Sequence, residues 1–350
     1  YQTINPRTPR LQLLSGGEWM LAVTDTGAGV SCCRGLDVHM RSEDLLRRPQ
    51  GIFTLVVAGE GAFSVTRATD YHEDDCRRRV EFGNGYAAFF AEKGQVEAGL
   101  RLLVHPRLPC EERQLVLKNK SAHKLAAEVL FYFEPCLARK EDAQAHPAFS
   151  RLFLSVRRDP ATKLLFITRR QREGEAPMCL AAGFLEGEDF RYEAGREALL
   201  TRPLGLESLP QGMEKPFSDE GDGTPDAVAA IRLTLELPVR SQRALTFVLA
   251  AAPTETEAAS RIIEARREGP MTPGKAAPSP FGGVEAQLAA QILPDLFYPP
   301  RMSREWAAAA RENQRGREAL WALGISGDDP ILLIEVHNAA DASRAEPYMR

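Results

Sequence analysis

Residues 79–91 read RVEFGNGYAAFFA. Two short runs, Arg79–Phe82 and Tyr86–Ala91, flank Gly83-Asn84-Gly85. Asn and Gly tolerate the positive φ that a tight hairpin turn demands, so the segment predicts a pair of antiparallel strands. The same rhythm spreads outward in both directions. Trp19–Thr24 reads as a short strand ending in the Gly-rich turn Asp25–Gly29, and Ile52–Ala58 as another that stops at Gly59-Glu60-Gly61. Val96–His105 follows. In Arg113–Asn119, Gln114, Val116 and Lys118 face one way, Leu115 and Leu117 the other. Lys124–Glu134, Leu152–Arg157, Leu164–Arg169, Cys179–Phe184, Ile231–Leu237 and Ala244–Ala251 continue the series. This many strands with almost no helical pattern predict a mainly β chain, folded as a large antiparallel sandwich.

After Ala251 the pattern changes. Thr254–Arg267 places Ala258, Ala259, Ile262 and Ile263 on one helical face, with Thr254 as N-cap and Glu257 three residues on. Gly269–Gly283 is rich in Pro and Gly and reads as a linker. Val284–Leu293 and Ser303–Leu323 are further helical stretches, and Ile331–Val336 is an apolar strand. The expected organisation is a β domain over residues 1–252, linker helices over 253–323, and the start of a following region over 324–350.

The chain has 350 residues, 44% hydrophobic and 26% charged, values that exclude a mostly disordered protein. Its net charge of −4 argues against a protein that holds nucleic acid through a large positive field. No apolar run reaches the ~18 residues of a membrane span. Position 1 is Tyr with no signal segment after it, and the polar run after Val336 suits either a natural terminus or a chain cut in mid-domain. The cysteines, Cys32, Cys33, Cys76, Cys110, Cys136 and Cys179, include no CxxC pair. His72 and Cys76 fit a polar turn better than a zinc site, which needs four converging ligands. No metal is expected, and reduced thiols suit a cytoplasmic protein.

Most chemistry-bearing motifs have plainer readings. Gly27-Ala28-Gly29 lacks the helix N-terminus that a phosphate cradle requires, and reads as a β-turn. Gly324–Asp329 lacks the second glycine of a nucleophile elbow and reads as a polar turn. Asp219, Glu220, Asp222 and Asp226 lack calcium-loop spacing. Glu43/Asp44 and Asp74/Asp75 are adjacent pairs in polar loops. The remaining candidate is His146-Pro147-Ala148-Phe149-Ser150, a loop between strands preceded by the polar stretch Lys140–Ala145. An aromatic ring can cover the apolar face of a pyranose while polar groups bond its hydroxyls. His146, Phe149 and Ser150 are therefore candidate substrate-binding residues, with a structured loop and a core-facing Phe149 as the alternative.

The order of segments resembles glycoside hydrolase family 94, formerly glycosyltransferase family 36. The carrying residues are Thr8–Glu18, Thr24–Val30, Arg34-Gly35-Leu36, Ala145–Phe153 (AHPAFSRLF), Asn313-Gln314-Arg315-Gly316 and Leu320–Leu333 (LWALGISGDDPILL). The resemblance is nearest to 1,2-β-oligoglucan phosphorylases and the C-terminal part of cyclic β-1,2-glucan synthases. It implies a galactose mutarotase-like β-supersandwich, linker helices and then an (α/α)6 barrel. In the family a barrel Asp protonates the glycosidic oxygen while inorganic phosphate attacks the anomeric carbon with inversion. That Asp lies in a Trp-Asn-Asp-Gly-like segment, which this sequence lacks, so no catalytic residue is placed in this chain. The resemblance further implies a β-glucan oligosaccharide as ligand, phosphate as co-substrate with no cofactor, and a homodimer. Membrane association is implied only for a cyclic glucan synthase. It also brings the His146–Ser150 loop to the mouth of an active site. A non-catalytic carbohydrate-binding or dimerisation sandwich is the alternative.

Overall fold

A computed structural model of the chain describes residues 9–42, 45, 48–59, 61–67, 75–201, 205–221, 225–275, 292, 294–296, 303–328, 331, 333 and 336–340. The chain divides into two compact units, one covering residues 12–279, the other residues 280–350 with 7–11.

The chain opens with β1 (Leu11–Gly16), β2 (Trp19–Thr24), β3 (Gly29–Cys33) and β4 (Leu36–His39). Next come β5 (Phe53–Ala58), β6 (Gly61–Ser64), β7 (Arg77–Gly83), β8 (Tyr86–Lys93), β9 (Val96–Val104) and β10 (Cys110–Asn119). β11 (Leu125–Phe133) and β12 (Pro135–Ala138) lead into two short helices, α1 (Lys140–Ala145) and α2 (Pro147–Arg151). β13 (Leu154–Asp159), β14 (Leu164–Arg169), β15 (Cys179–Phe184) and β16 (Arg191–Gly195) precede α3 (Arg196–Leu199) and α4 (Leu209–Met213). β17 (Ala227–Leu237), β18 (Gln242–Ala252) and α5 (Glu255–Glu268) complete the first unit.

These strands form three sheets. One has the order β1-β2-β3-β4-β12, a second β13-β14-β15-β18-β10-β9-β8-β7, and a third β16-β17-β11-β5-β6. The hairpin that anchored the sequence reading is β7–β8, with Gly83 opposite Tyr86 and Gly85 at φ +76°. One apolar core draws on all three sheets, with Trp19, Val56, Phe89, Leu115, Phe131 and Phe247 among its members. Phe131 and Phe247 stack at 4.4 Å between ring centroids. The other face of the third sheet is covered by Leu199, Leu209 and Met213 from α3 and α4. The other face of the eight-stranded sheet is partly covered by α5, through Ala258, Ala259, Ile262 and Ala265. Thr254 caps α5 as expected, its Oγ1 accepting from Glu257 N at 3.3 Å. Ile263, assigned above to the buried face, is 37% exposed, because the covered stripe turns toward Ala265 instead.

Two other readings change. Residues 140–151, expected as a loop, are α1 and α2; Pro147 takes the first position of α2, where its fixed φ fits and its missing N–H costs nothing. Ser303–Leu323, read as one helical stretch, is α6 (Arg304–Glu312) and a 3-10 turn over Arg317–Leu323, broken at Asn313–Gly316. Ser303 Oγ caps α6 by accepting from Trp306 N at 3.2 Å. The helix expected over Val284–Leu293 lies, apart from Ile292, outside the described residues, as do Glu43, Asp44, His72, Asp74, Asp222 and much of Ile331–Val336.

A polar cluster ties the first two sheets together inside the core. Glu111 on β10 accepts from Trp19 Nε1 at 3.1 Å and from Ser31 Oγ at 2.7 Å. Its other oxygen lies 2.6 Å from Arg113 Nη2, and Arg113 Nη1 donates to Ile52 O at 2.8 Å. His39 Nε2 accepts from Ser31 N at 3.1 Å, while Nδ1 sits 2.9 Å from Met40 O. Those partners suit a neutral ring protonated on Nδ1. Burial pushes the His39 pKa below its ordinary 6.5. The unfolded chain then binds the proton that the fold excludes, so stability falls as the pH drops below about 6.5. Denaturant midpoints measured across pH 5–8 should show this slope, and His39→Asn should flatten it. An equal slope in the variant would assign it to other groups.

Candidate functional site

The three residues singled out by sequence lie on and beside α2. His146 links α1 to α2 at φ −144° and ψ 74° and is exposed. Phe149 is 50% exposed, large for a phenylalanine. Its ring meets Phe153 edge-on at 5.1 Å, and the Arg172 guanidinium lies over both rings, at 5.0 and 4.6 Å. Together with Leu152, which is 54% exposed, these side chains make an aromatic platform on the surface. Ser150 faces the other way. It is buried, and both its carbonyl and its hydroxyl accept from Arg169 Nη1, at 2.8 and 3.1 Å.

Arg169 leads to the cavity beside the platform. It ends β14, and its side chain lines a polar cavity of about 290 Å3 with Arg139, Asp142, Arg172, Glu175 and Leu137. The Arg169 side chain is only 4% exposed, and Glu175 Oε2 lies 3.9 Å from its Nε, too far for a hydrogen bond. That Nε makes no hydrogen bond among the described residues. Glu175 is instead fixed by its own turn, accepting from Arg172 N at 2.9 Å. A buried guanidinium held from behind by Ser150 is thus presented to a cavity that mixes cationic donors with carboxylate acceptors.

The local backbone explains how the cavity opens. The β12–β4 pairing shifts register between Pro135 and Ala138, and Leu137 within that bulge adopts φ +53°. A leucine in that region is strained, and such strain gathers at binding sites. The bulge turns the chain out of the sheet and into α1. The far end of α2 is fixed by charge. Arg151 pairs with Glu134 at 2.5 Å and with Asp226, while Glu134 also accepts from Tyr132 Oη and Arg196 Nε, each at 3.2 Å. Burial opposes the Arg151 charge, but Glu134 and Asp226 outweigh it and raise its pKa. The platform is therefore bolted at both ends.

The other sequence candidates resolve as structural. Gly27, at φ +91°, closes the β2–β3 hairpin, and a Cβ there would fall 2.4 Å from Thr66 Cβ. A strand, not a helix, follows it. Ser326 Oγ accepts from Asp328 N at 3.3 Å, and Asp328 pairs with Arg317 at 2.7 Å. Asp219 and Asp226 are paired with Arg191 and Arg151. Among the described residues no group of His, Cys, Asp or Glu could hold a metal ion. Among them no helix is long and apolar enough to cross a membrane.

Among the described residues, the arrangement sets donors, acceptors and an apolar face side by side. Planar guanidinium donors, carboxylate acceptors and an aromatic face are the side chains that hold a sugar ring by its hydroxyls and its apolar face. Arg169 and Arg172 carry no local signal of this placement: one reads as the polar end of a strand, the other as a loop residue.

The family described as "Glycosyl hydrolase 94, supersandwich domain" matches residues 1–268. Cyclic beta-(1,2)-glucan synthase NdvB of Rhizobium meliloti (strain 1021) is 26% identical over 374 aligned positions, covering 97% of this chain and 13% of that protein. The chain thus spans about an eighth of that curated relative's length. Among solved structures, a bacterial glucoamylase complexed with acarbose has a TM-score of 0.45 at 10% identity, covering 72% of this chain and 33% of the other. The GH36 alpha-galactosidase AgaB from Geobacillus stearothermophilus has a TM-score of 0.39 at 8% identity, covering 72% and 41%.

Proposed function

The chain belongs to the glycosyl hydrolase 94 supersandwich family, and on that premise we propose that it is the β-domain of a larger carbohydrate-active enzyme whose substrate is a β-1,2-linked glucan. In this reading the bond-breaking acid and the phosphate site belong to another part of the parent protein. The activity of the whole is phosphorolysis of the glucan to a sugar 1-phosphate, or the corresponding step within a cyclic glucan synthase. This domain contributes a glycan-holding surface.

The observation that carries the reading is the Phe149/Phe153 platform, with Phe149 half exposed, beside a polar cavity containing the buried Arg169. Exposed aromatic surface on a short helix anchored at both ends is poorly explained by packing alone. The NdvB similarity supports the choice of linkage. His146 and Phe149 are the contact residues on the platform, and Ser150 acts by positioning Arg169.

The test is His146→Ala combined with Phe149→Ala in the full-length protein. Both residues are exposed, so the folded state should be retained by circular dichroism and thermal unfolding. kcat/KM for β-1,2-glucooligosaccharides should fall about tenfold, the scale of one lost aromatic contact with an associated hydrogen bond. An unchanged kcat/KM with intact folding would remove the platform from substrate binding.

A further inference from the structure

The polar cavity has a neighbour of opposite character. A second cavity of about 130 Å3 is lined by Cys33, Pro177, Met178, Ala251, Ala252 and Pro253, and it shares Leu36 and Ala176 with the first. Only one charged side chain borders it. That residue, Arg34, has its guanidinium engaged by Glu18 at 2.6 Å, which leaves the aliphatic stem at the cavity wall. Cys33 is equally unhelpful to a polar guest. Burial raises its pKa to about 11, so it stays a neutral thiol and behaves as a small apolar group.

A second sugar ring would fit this space badly. Its hydroxyls would leave water and find no partners, which is costly. No aromatic face is available to stack on it. The cavity volume is close to the ~150 Å3 that a benzene ring fills. Taken together, the two cavities reach the ~300–1,000 Å3 typical of small-molecule sites. One end offers charged donors and acceptors, the other only aliphatic surface, and Leu36 and Ala176 form the sill between them.

We propose that the two cavities form one amphipathic site whose ligand is a glycoside. The sugar lies in the polar part beside Arg169, and an apolar aglycone the size of a phenyl group lies between Leu36, Met178 and Ala251. The proposal rests on the glycan reading of the polar cavity and adds the class of substituent at the sugar's end. Such a ligand gains hydrogen bonds at one end and dry apolar burial at the other, which an unsubstituted oligosaccharide cannot do.

Calorimetric titration of the full-length protein with methyl β-sophoroside and phenyl β-sophoroside tests it. The phenyl glycoside should bind at least about tenfold more tightly, the lower end of what filling a hydrophobic pocket brings. Ala251→Leu, on the strand face that packs with Cys33, Leu36 and Met178, grows into the apolar cavity and should abolish that gain while leaving the methyl glycoside unaffected. Arg34→Ala, at an exposed position that the fold tolerates, removes the stem from the wall and should shrink the gain. Equal affinity of the two ligands for the unaltered protein overturns the proposal even if Ala251→Leu fails to fold. So does a gain that survives both substitutions, since the phenyl group then sits elsewhere. If neither glycoside binds, the glycan reading fails, and the proposal with it.

Discussion

Glu111→Ala should destabilise the protein by about 3–5 kcal/mol, the cost of removing one partner from a buried ion pair. The argument rests on what remains. Arg113 is 3% exposed and keeps only its bond to Ile52 O. Trp19 Nε1 and Ser31 Oγ lose their acceptor, and both belong to residues buried within the core. A charge and two donors would then face an apolar interior with no water to replace the carboxylate. Against a total stability of ~5–15 kcal/mol this is a large fraction. Glu111→Gln should be nearly as damaging, since it keeps the shape but leaves the guanidinium uncompensated. Glu111→Leu with Arg113→Met should recover most of the loss, because the desolvation of both charges disappears together. Urea denaturation of the four proteins measures it. A double variant no better than Glu111→Ala alone would show that Trp19 and Ser31, not the charge pair, dominate.

The same cluster shows why some of this molecule was legible in its sequence and some was not. Glu111 and Trp19 are 92 residues apart, and neither carries a local mark of the other. By contrast, β14 and β15 match the sequence reading, Leu164–Arg169 and Cys179–Phe184, because short apolar runs between turn residues signal a strand locally. The Thr254 cap was equally local. β3 and β4 escaped because they are only five and four residues long, and their polar side chains Ser31, Asp37 and His39 are buried and mark no solvent face. β12 escaped for a sharper reason. Its Leu137 sits at positive φ, a backbone state for which leucine has no propensity. The segment Ala145–Phe153, expected to hold a loop, contains α2 instead. Which side chains face outward depended on Arg169, 19 residues beyond Ser150. The helix turns Ser150 toward that guanidinium and thereby turns Phe149 to the surface.

Arg169→Ala should weaken binding of β-1,2-glucooligosaccharides by about 10–100-fold, the range for losing a hydrogen bond from a charged donor. Arg169 is the deepest cation of the polar cavity, and Ser150 holds one of its terminal nitrogens in place. The substitution removes the donor and the anchor of α2 at once, so folding must be separated from binding. Ser150→Ala does so. It deletes the 3.1 Å contact to the hydroxyl but keeps the 2.8 Å contact to the backbone carbonyl. Its effect on affinity should stay within a few-fold. Arg169→Lys should not rescue, because a point-charge ammonium cannot bond Ser150 from behind and a sugar from the front, as a planar fork can. Calorimetric affinities alongside unfolding midpoints distinguish the cases. If Arg169→Lys restores affinity, the cavity needs only a positive charge. If Arg169→Ala lowers the midpoint but not the affinity, the residue serves the fold and the glycan contact lies on the platform alone.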